Sequence, residues 1–170
     1  MKGDMGAGDC GDTDILGGRR VRKNSAVIEA LGAIDEAASA IGLARSFVEC
    51  EERKAVLKCY QDAMQAVAAE VANAGNGRAT RHDFVNGIKA IEEQIRITEM
   101  VVGRPKGFLT PGETPAEAAL DVARVLVRRA ERRVVTLEEE GQAVDAHVCA
   151  YLNRLSDLLF SMVCAETVGQ

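Results

Sequence analysis

All three prolines of this 170-residue chain fall in one segment, GRPKGFLTPGETP, residues 103–115. That segment is loop, because proline removes a backbone donor and clashes with a preceding helical turn. The rest of the chain, past a glycine-rich start, is written in helical period. Val27, Leu31, Ile34, Ala38, Ile41 and Val48 recur at spacings of three, four and seven, which predicts a helix from Ser25 to about Glu49. A second helix runs from about Glu51 to Ala74, where NAGNGRAT stops it. A third covers roughly 81–101 and is interrupted at Gly87. Thr114 caps a fourth, with Pro115 at its first position and Glu117 at its third, and Gly141 ends it. The last spans about Val144–Val168. Four of the five run uninterrupted for more than twenty residues and the connections are short, so the economical assembly is an all-α, five-helix up-down bundle.

Residues 1–24 read differently. Their glycine density argues against a helix, so they form an irregular or extended N-terminal arm ahead of a helical domain, 25–170. The length suits a single domain.

Composition narrows the function. Net charge is -5, which excludes general nucleic-acid binding, since that needs a basic footprint. Five cysteines with no CxxC spacing, and only two histidines, leave no zinc site. They fit a reducing, cytoplasmic setting. No secretory leader and no apolar run long enough to span a bilayer is apparent, so no membrane partner is expected.

Against this acidic background RRAERR, residues 128–133, stands out. Ala119, Ala123, Leu126, Ala130, Val134 and Leu137 form the apolar seam of the fourth helix, and Arg124, Arg128 and Glu131 form a stripe beside it. On the last helix Leu152, Leu155, Leu159 and Met162 form a seam, with Asn153 and Asp157 one step round. Asp35 lies next to the apolar face of the first helix. Two readings are open. These groups are surface ion pairs worth a few tenths of a kcal/mol each, or they line a cleft whose planar bidentate donors hold carboxylate or phosphate. The arm favours the second. GDCGDT, residues 8–13, offers backbone amides and a hydroxyl, and RRVRK, residues 19–23, offers four positive charges.

Three stretches, GDCGDTDILGGRRVRKNSAVIEALGAIDE, FLTPGETPAEAALDVARVLVRRAERRVV and YLNRLSDLLF, together resemble the PduO-type ATP:cob(I)alamin adenosyltransferases in order and spacing. The resemblance implies a homotrimer with sites between subunits, where the 5′-deoxyadenosyl group of ATP passes to cobalt and triphosphate is released. It implies that Gly8, Asp9, Gly11 and Thr13 wrap the nucleotide, with Lys23 reaching the phosphates. Arg128, Arg129, Glu131, Arg132 and Asn153 would lie on ATP. Arg124 would pair with Asp35 across a subunit boundary, and Phe108 would face the lower side of cobalamin. Mg²⁺ would accompany ATP, and a reduced flavoprotein is the implied electron donor. No protein side chain would ligate a resident metal. The chain departs from the family pattern at Ala7, at the acidic Asp12 and Asp14, at Glu113, and at Ala37 and Ala38. The alternative is a non-enzymatic nucleotide- or corrinoid-binding protein of the same bundle class.

Overall fold

Thr114 shows how locally this fold is written. Its hydroxyl accepts a hydrogen bond from the Glu117 N–H (3.1 Å), satisfying one of the amides that a helix start leaves unpaired, and Pro115 follows where no N–H is needed. In the computed structural model, which describes residues 8–16, 18–74, 82–103 and 109–168, the helix so started is the longest. The described elements are β1 (Asp12–Ile15), β2 (Arg19–Arg22), α1 (Ala26–Phe47), α2 (Glu51–Ala72), α3 (Phe84–Val102), α4 (Pro115–Glu139) and α5 (His147–Val168).

The helices run alternately up and down. Arg129 meets Glu36 and Arg133 meets Glu29, so α1 and α4 are antiparallel. Asn153 meets Glu131 and Thr167 meets Glu117, so α4 and α5 are antiparallel too. Arg154 meets Glu92, which sets α3 alongside α5. The α1–α4 pair is the most extensive, because small residues face each other there: Ala30, Ala33, Ala37 and Ala40 against Ala119, Ala123 and Ala130, all buried. Larger side chains, among them Ile34, Ile41, Leu120, Leu152 and Leu159, fill the space between and are each worth roughly 1.5–3 kcal/mol of burial.

Four local expectations change. The buried residue of α4 is Val127, while Leu126 lies half-buried at the edge of the seam, because the stripe advances Ala123–Val127–Ala130. Gly87 does not interrupt α3. A Cβ there would stand 2.8 Å from the Tyr151 ring, so its lack of a side chain lets α3 approach α5. The apolar run of α5 is long enough to cross a membrane by length and composition, but 67% of that stretch is buried inside the bundle, as in a core helix. In place of an irregular arm, Asp12–Ile15 and Arg19–Arg22 take the extended alternative: β1 and β2 form an antiparallel hairpin, so the described fold is helical with one small two-stranded sheet. Its turn closes through the Gly18 N–H to the Ile15 carbonyl (3.1 Å), with Gly18 at φ +75°, a conformation glycine adopts freely.

Candidate functional site

Pairing places Asp12 opposite Arg22 and Asp14 opposite Arg20. Their charged groups lie 3.8 Å and 3.4 Å apart, and Arg20 also reaches Asp12 at 4.0 Å. The charges of Asp12 and Asp14 are thus met within the hairpin. The ladder continues through the Lys23 N–H to the Gly11 carbonyl (2.9 Å), and the Lys23 ammonium stands 3.7 Å from where a Cβ on Gly8 would lie. Gly8, Gly11 and Lys23 therefore bring backbone and an ammonium group together at the open end of the hairpin, with Thr13 half-buried in β1 and Asp9 exposed beside them. Ala7 and Phe108 lie outside the described residues.

The five arginines of α4 divide sharply. Arg124 donates to Asp121 one turn back at 2.7 Å and lies over the Phe160 ring at 5.9 Å. Arg129 pairs with Glu36 at 3.0 Å, and Arg133 with Glu29 at 3.9 Å, bracing α4 on α1. Arg128 and Arg132 are exposed and have no ion-pair partner among the described residues; Arg132 only donates to the Arg128 carbonyl, at 3.1 Å. Asp35 is exposed on α1 and borders a groove of about 390 Å³ under the hairpin, together with Asp14, Ile15, Leu31 and Ala38. Within the protomer Arg124 is thus bound to Asp121, not to Asp35.

Beside Arg128, Glu131 accepts a hydrogen bond from the Asn153 amide at 3.2 Å. Arg154 donates to the Asn153 carbonyl oxygen at 3.3 Å, to Asp157 at 2.9 Å and to Glu92 at 3.2 Å. This network opens onto a groove of about 550 Å³ between α3 and α5, lined also by Glu99, Phe160 and Cys164. At its far end Gly103 leads into the proline-rich loop. The loop's other root is fixed by buried Glu117, which accepts from the Glu113 N–H (3.1 Å) and from the Thr167 hydroxyl (3.0 Å).

Cys149 and Cys164 are not prepared as nucleophiles. Desolvation by burial, aided by the neighbouring Glu138 carboxylate, pushes the Cys149 thiol up to about 12, and burial raises Cys164. The described cysteines are all free. Among the described residues no three His, Cys, Asp or Glu side chains converge as a metal site.

Periodicity pointed to Asn153, Glu131 and the α4 arginines. It passed over Asp121 and Arg154, and Glu117 was read only as part of the helix start. Asp121 was visible only as an acid at helical spacing from Arg124, a pattern this charged sequence offers many times over.

The described residues thus form a helical bundle in which two α4 guanidinium groups have no ion-pair partner, beside a hairpin whose open end carries glycines and a lysine. Comparison with known proteins identifies the class. The cobalamin adenosyltransferase family model matches residues 5–166. A corrinoid adenosyltransferase from Citrobacter freundii is 35% identical over 167 residues, 94% of this chain and 91% of its own length. Human corrinoid adenosyltransferase MMAB is 35% identical over 162 residues, 91% of this chain and 64% of its own. PduO of Salmonella typhimurium is 33% identical and about twice as long, with 48% of it covered. Among solved structures, a variant PduO-type ATP:corrinoid adenosyltransferase from Lactobacillus reuteri, complexed with cobalamin and ATP, matches with a TM-score of 0.89 at 29% identity, covering 96% of this chain and 90% of that one. This chain belongs to the cobalamin adenosyltransferase family.

Proposed function

We propose that this chain transfers the 5′-deoxyadenosyl group of ATP to the cobalt of cob(I)alamin or a related corrinoid, giving adenosylcobalamin and triphosphate. One observation carries the reading beyond family membership. Of five arginines on α4, three are paired within the protein, while Arg128 and Arg132 have no ion-pair partner among the described residues and suit an outside anion.

The chemistry belongs to the substrates. The lone pair of cobalt(I) attacks C5′, the C5′–O bond breaks, and its electron pair leaves on the triphosphate. The protein's task is alignment and charge stabilisation. Arg128, Arg132 and Lys23 stabilise the charge that grows on the departing phosphates. The amides near Gly8 and Gly11 cradle them, and Asp9 and Thr13 close the arm over the nucleotide. Arg129 and the Glu131–Asn153 pair hold the nucleoside end. Mg²⁺, when bound, screens the phosphate charge. The corrinoid takes the apolar side, with Phe108 beneath its lower face.

The arm of one subunit and the α4–α5 network of its neighbour supply complementary halves of this site, so the working form is a homotrimer. Arg124 then meets Asp35 of the neighbouring subunit. The cell compartment is the cytoplasm, and a reduced flavoprotein supplies the electron that makes cobalt(I).

The test is anaerobic incubation of the protein with cob(I)alamin and ATP. The expected result is conversion of the visible spectrum to that of adenosylcobalamin, with one triphosphate released per cobalt. Binding of ATP and corrinoid without conversion would leave a carrier and overturn the assignment.

A further inference from the structure

The Asn153 carboxamide has an acceptor-only group on one side and a donor-only group on the other. Glu131 Oε1 lies 3.2 Å from Nδ2, and Arg154 NH1 lies 3.3 Å from Oδ1. A carboxylate only accepts and a guanidinium only donates. Reversing the amide would turn Nδ2 towards Arg154 and Oδ1 towards Glu131, replacing two hydrogen bonds by two repulsions. The orientation is therefore fixed by the chemistry of its neighbours, not by the choice of which atom is drawn as nitrogen.

Arg154 is itself anchored. Its Nε donates to Glu92 on α3 at 3.2 Å, and NH1 donates to Asp157 one turn along α5 at 2.9 Å. Two carboxylates on two helices hold the fork in place, which a flexible ammonium would not reproduce. Charge and shape thus pass from α3 through Arg154 to Asn153 and on to Glu131 of α4.

We infer that Arg154 is a positioning residue: it sets which end of the Asn153 amide is presented to the nucleotide. This deepens the proposed function and rests on it only for the identity of the ligand. With Oδ1 held back by Arg154 and one Nδ2 proton on Glu131, the second Nδ2 proton is the group left to meet a ligand acceptor. Glu131 keeps its other oxygen for a ligand donor. The site offers one donor and one acceptor side by side, a pattern that suits a nucleoside and not a bare phosphate.

The test has two arms on the full chain. In nucleotide-free protein, the Asn153 side-chain amide is followed by NMR. Wild type should show one Nδ2 proton shifted downfield and slow to exchange, and Arg154→Met should lose that signature. In the second arm, ATP affinity is measured for Arg154→Met in the wild-type and Asn153→Ala backgrounds. A contact relayed through Asn153 should cost about tenfold in the first background and less than twofold in the second. An unchanged amide signature, or equal losses in both backgrounds, overturns the proposal. Wild-type protein that binds no ATP would instead defeat the proposed function, and the nucleotide-free spectra would still decide the role of Arg154. Because Arg154 is only half-buried, the substitution leaves the core intact, and the same spectra report the fold.

Discussion

The Asp14 carboxylate lies 3.4 Å from the guanidinium of Arg20, its direct partner across the hairpin. Exposed cross-strand pairs of this kind are worth roughly 0.2–1 kcal/mol, and an isolated two-stranded hairpin is marginal. A pair of such contacts is therefore a sizeable part of what orders the arm before nucleotide arrives. Asp12→Asn with Asp14→Asn should speed proteolytic cleavage within residues 8–24 in nucleotide-free protein. The difference should fade in high salt, because exposed pairs are screened. MgATP should protect both proteins, whereas MgCl₂ alone should not. Equal cleavage of the two proteins at low salt would show that the cross-strand pairs contribute nothing.

Gly87→Ala tests packing in the opposite sense from propensity. Alanine in a helix interior normally gains about 1 kcal/mol over glycine. Here its methyl would stand 2.8 Å from the Tyr151 ring, which is fully buried and has little room to retreat. Overpacking of this kind costs roughly 1–3 kcal/mol. The variant should be less stable than wild type in urea unfolding, by up to about 2 kcal/mol after the propensity gain is subtracted. A stabilised variant would show that α3 and α5 pack more loosely at this point.

What was legible in the sequence is what is decided within a few residues. Thr114, Pro115 and Glu117 start α4 as their order dictates, because capping is settled within one turn. The hairpin was missed for the opposite reason. Pairing Asp12 with Arg22 depends on a turn at Gly18, and glycine density alone does not distinguish a turn from disorder. Leu126 and Val127 exchanged roles because adjacent apolar residues leave the edge of a helical stripe undetermined until a neighbour packs on it. At the site, arginine type and spacing left surface ion pairs and an anion cleft both open. They did not tell Arg128, without an ion-pair partner among the described residues, from Arg129, bound to Glu36, because that distinction lies on another helix.

Alkaline pH should unfold this protein early. Burial pushes the Tyr60 hydroxyl up to about 12 from its usual 10, raises that of Tyr151 as well, and pushes the Cys149 thiol up to about 12 from 9. Each group is neutral in the folded state well above the pH at which it ionises in the unfolded chain. The unfolded state therefore binds fewer protons in this window, and stability falls as pH rises. The contribution is fully present below about pH 9 and is lost progressively towards pH 12. Melting temperatures should decline from pH 9 upward, and exposed Cys10 and Cys59 should react with a thiol reagent well before Cys149. A melting temperature flat to pH 11 would contradict the burial of these three groups.

Arg128→Lys asks whether a particular geometry is used at α4. Arg128 is exposed and has no ion-pair partner among the described residues, so the fold does not depend on its fork. Lysine keeps the charge and the helix propensity but replaces a planar set of donors by a point charge on a flexible stem. If the guanidinium stabilises the departing triphosphate, the loss falls on the chemical step, at about 10²–10³ in kcat, with the melting temperature unchanged. Arg133→Lys is the matched control, since Arg133 reaches only Glu29, at 3.9 Å, and should turn over within twofold of wild type. Single-turnover formation of adenosylcobalamin under saturating ATP separates the chemical step from binding. A deficit that saturating ATP restores would make Arg128 a binding contact only. Equal rates for Arg128→Lys and Arg133→Lys would remove it from the site altogether.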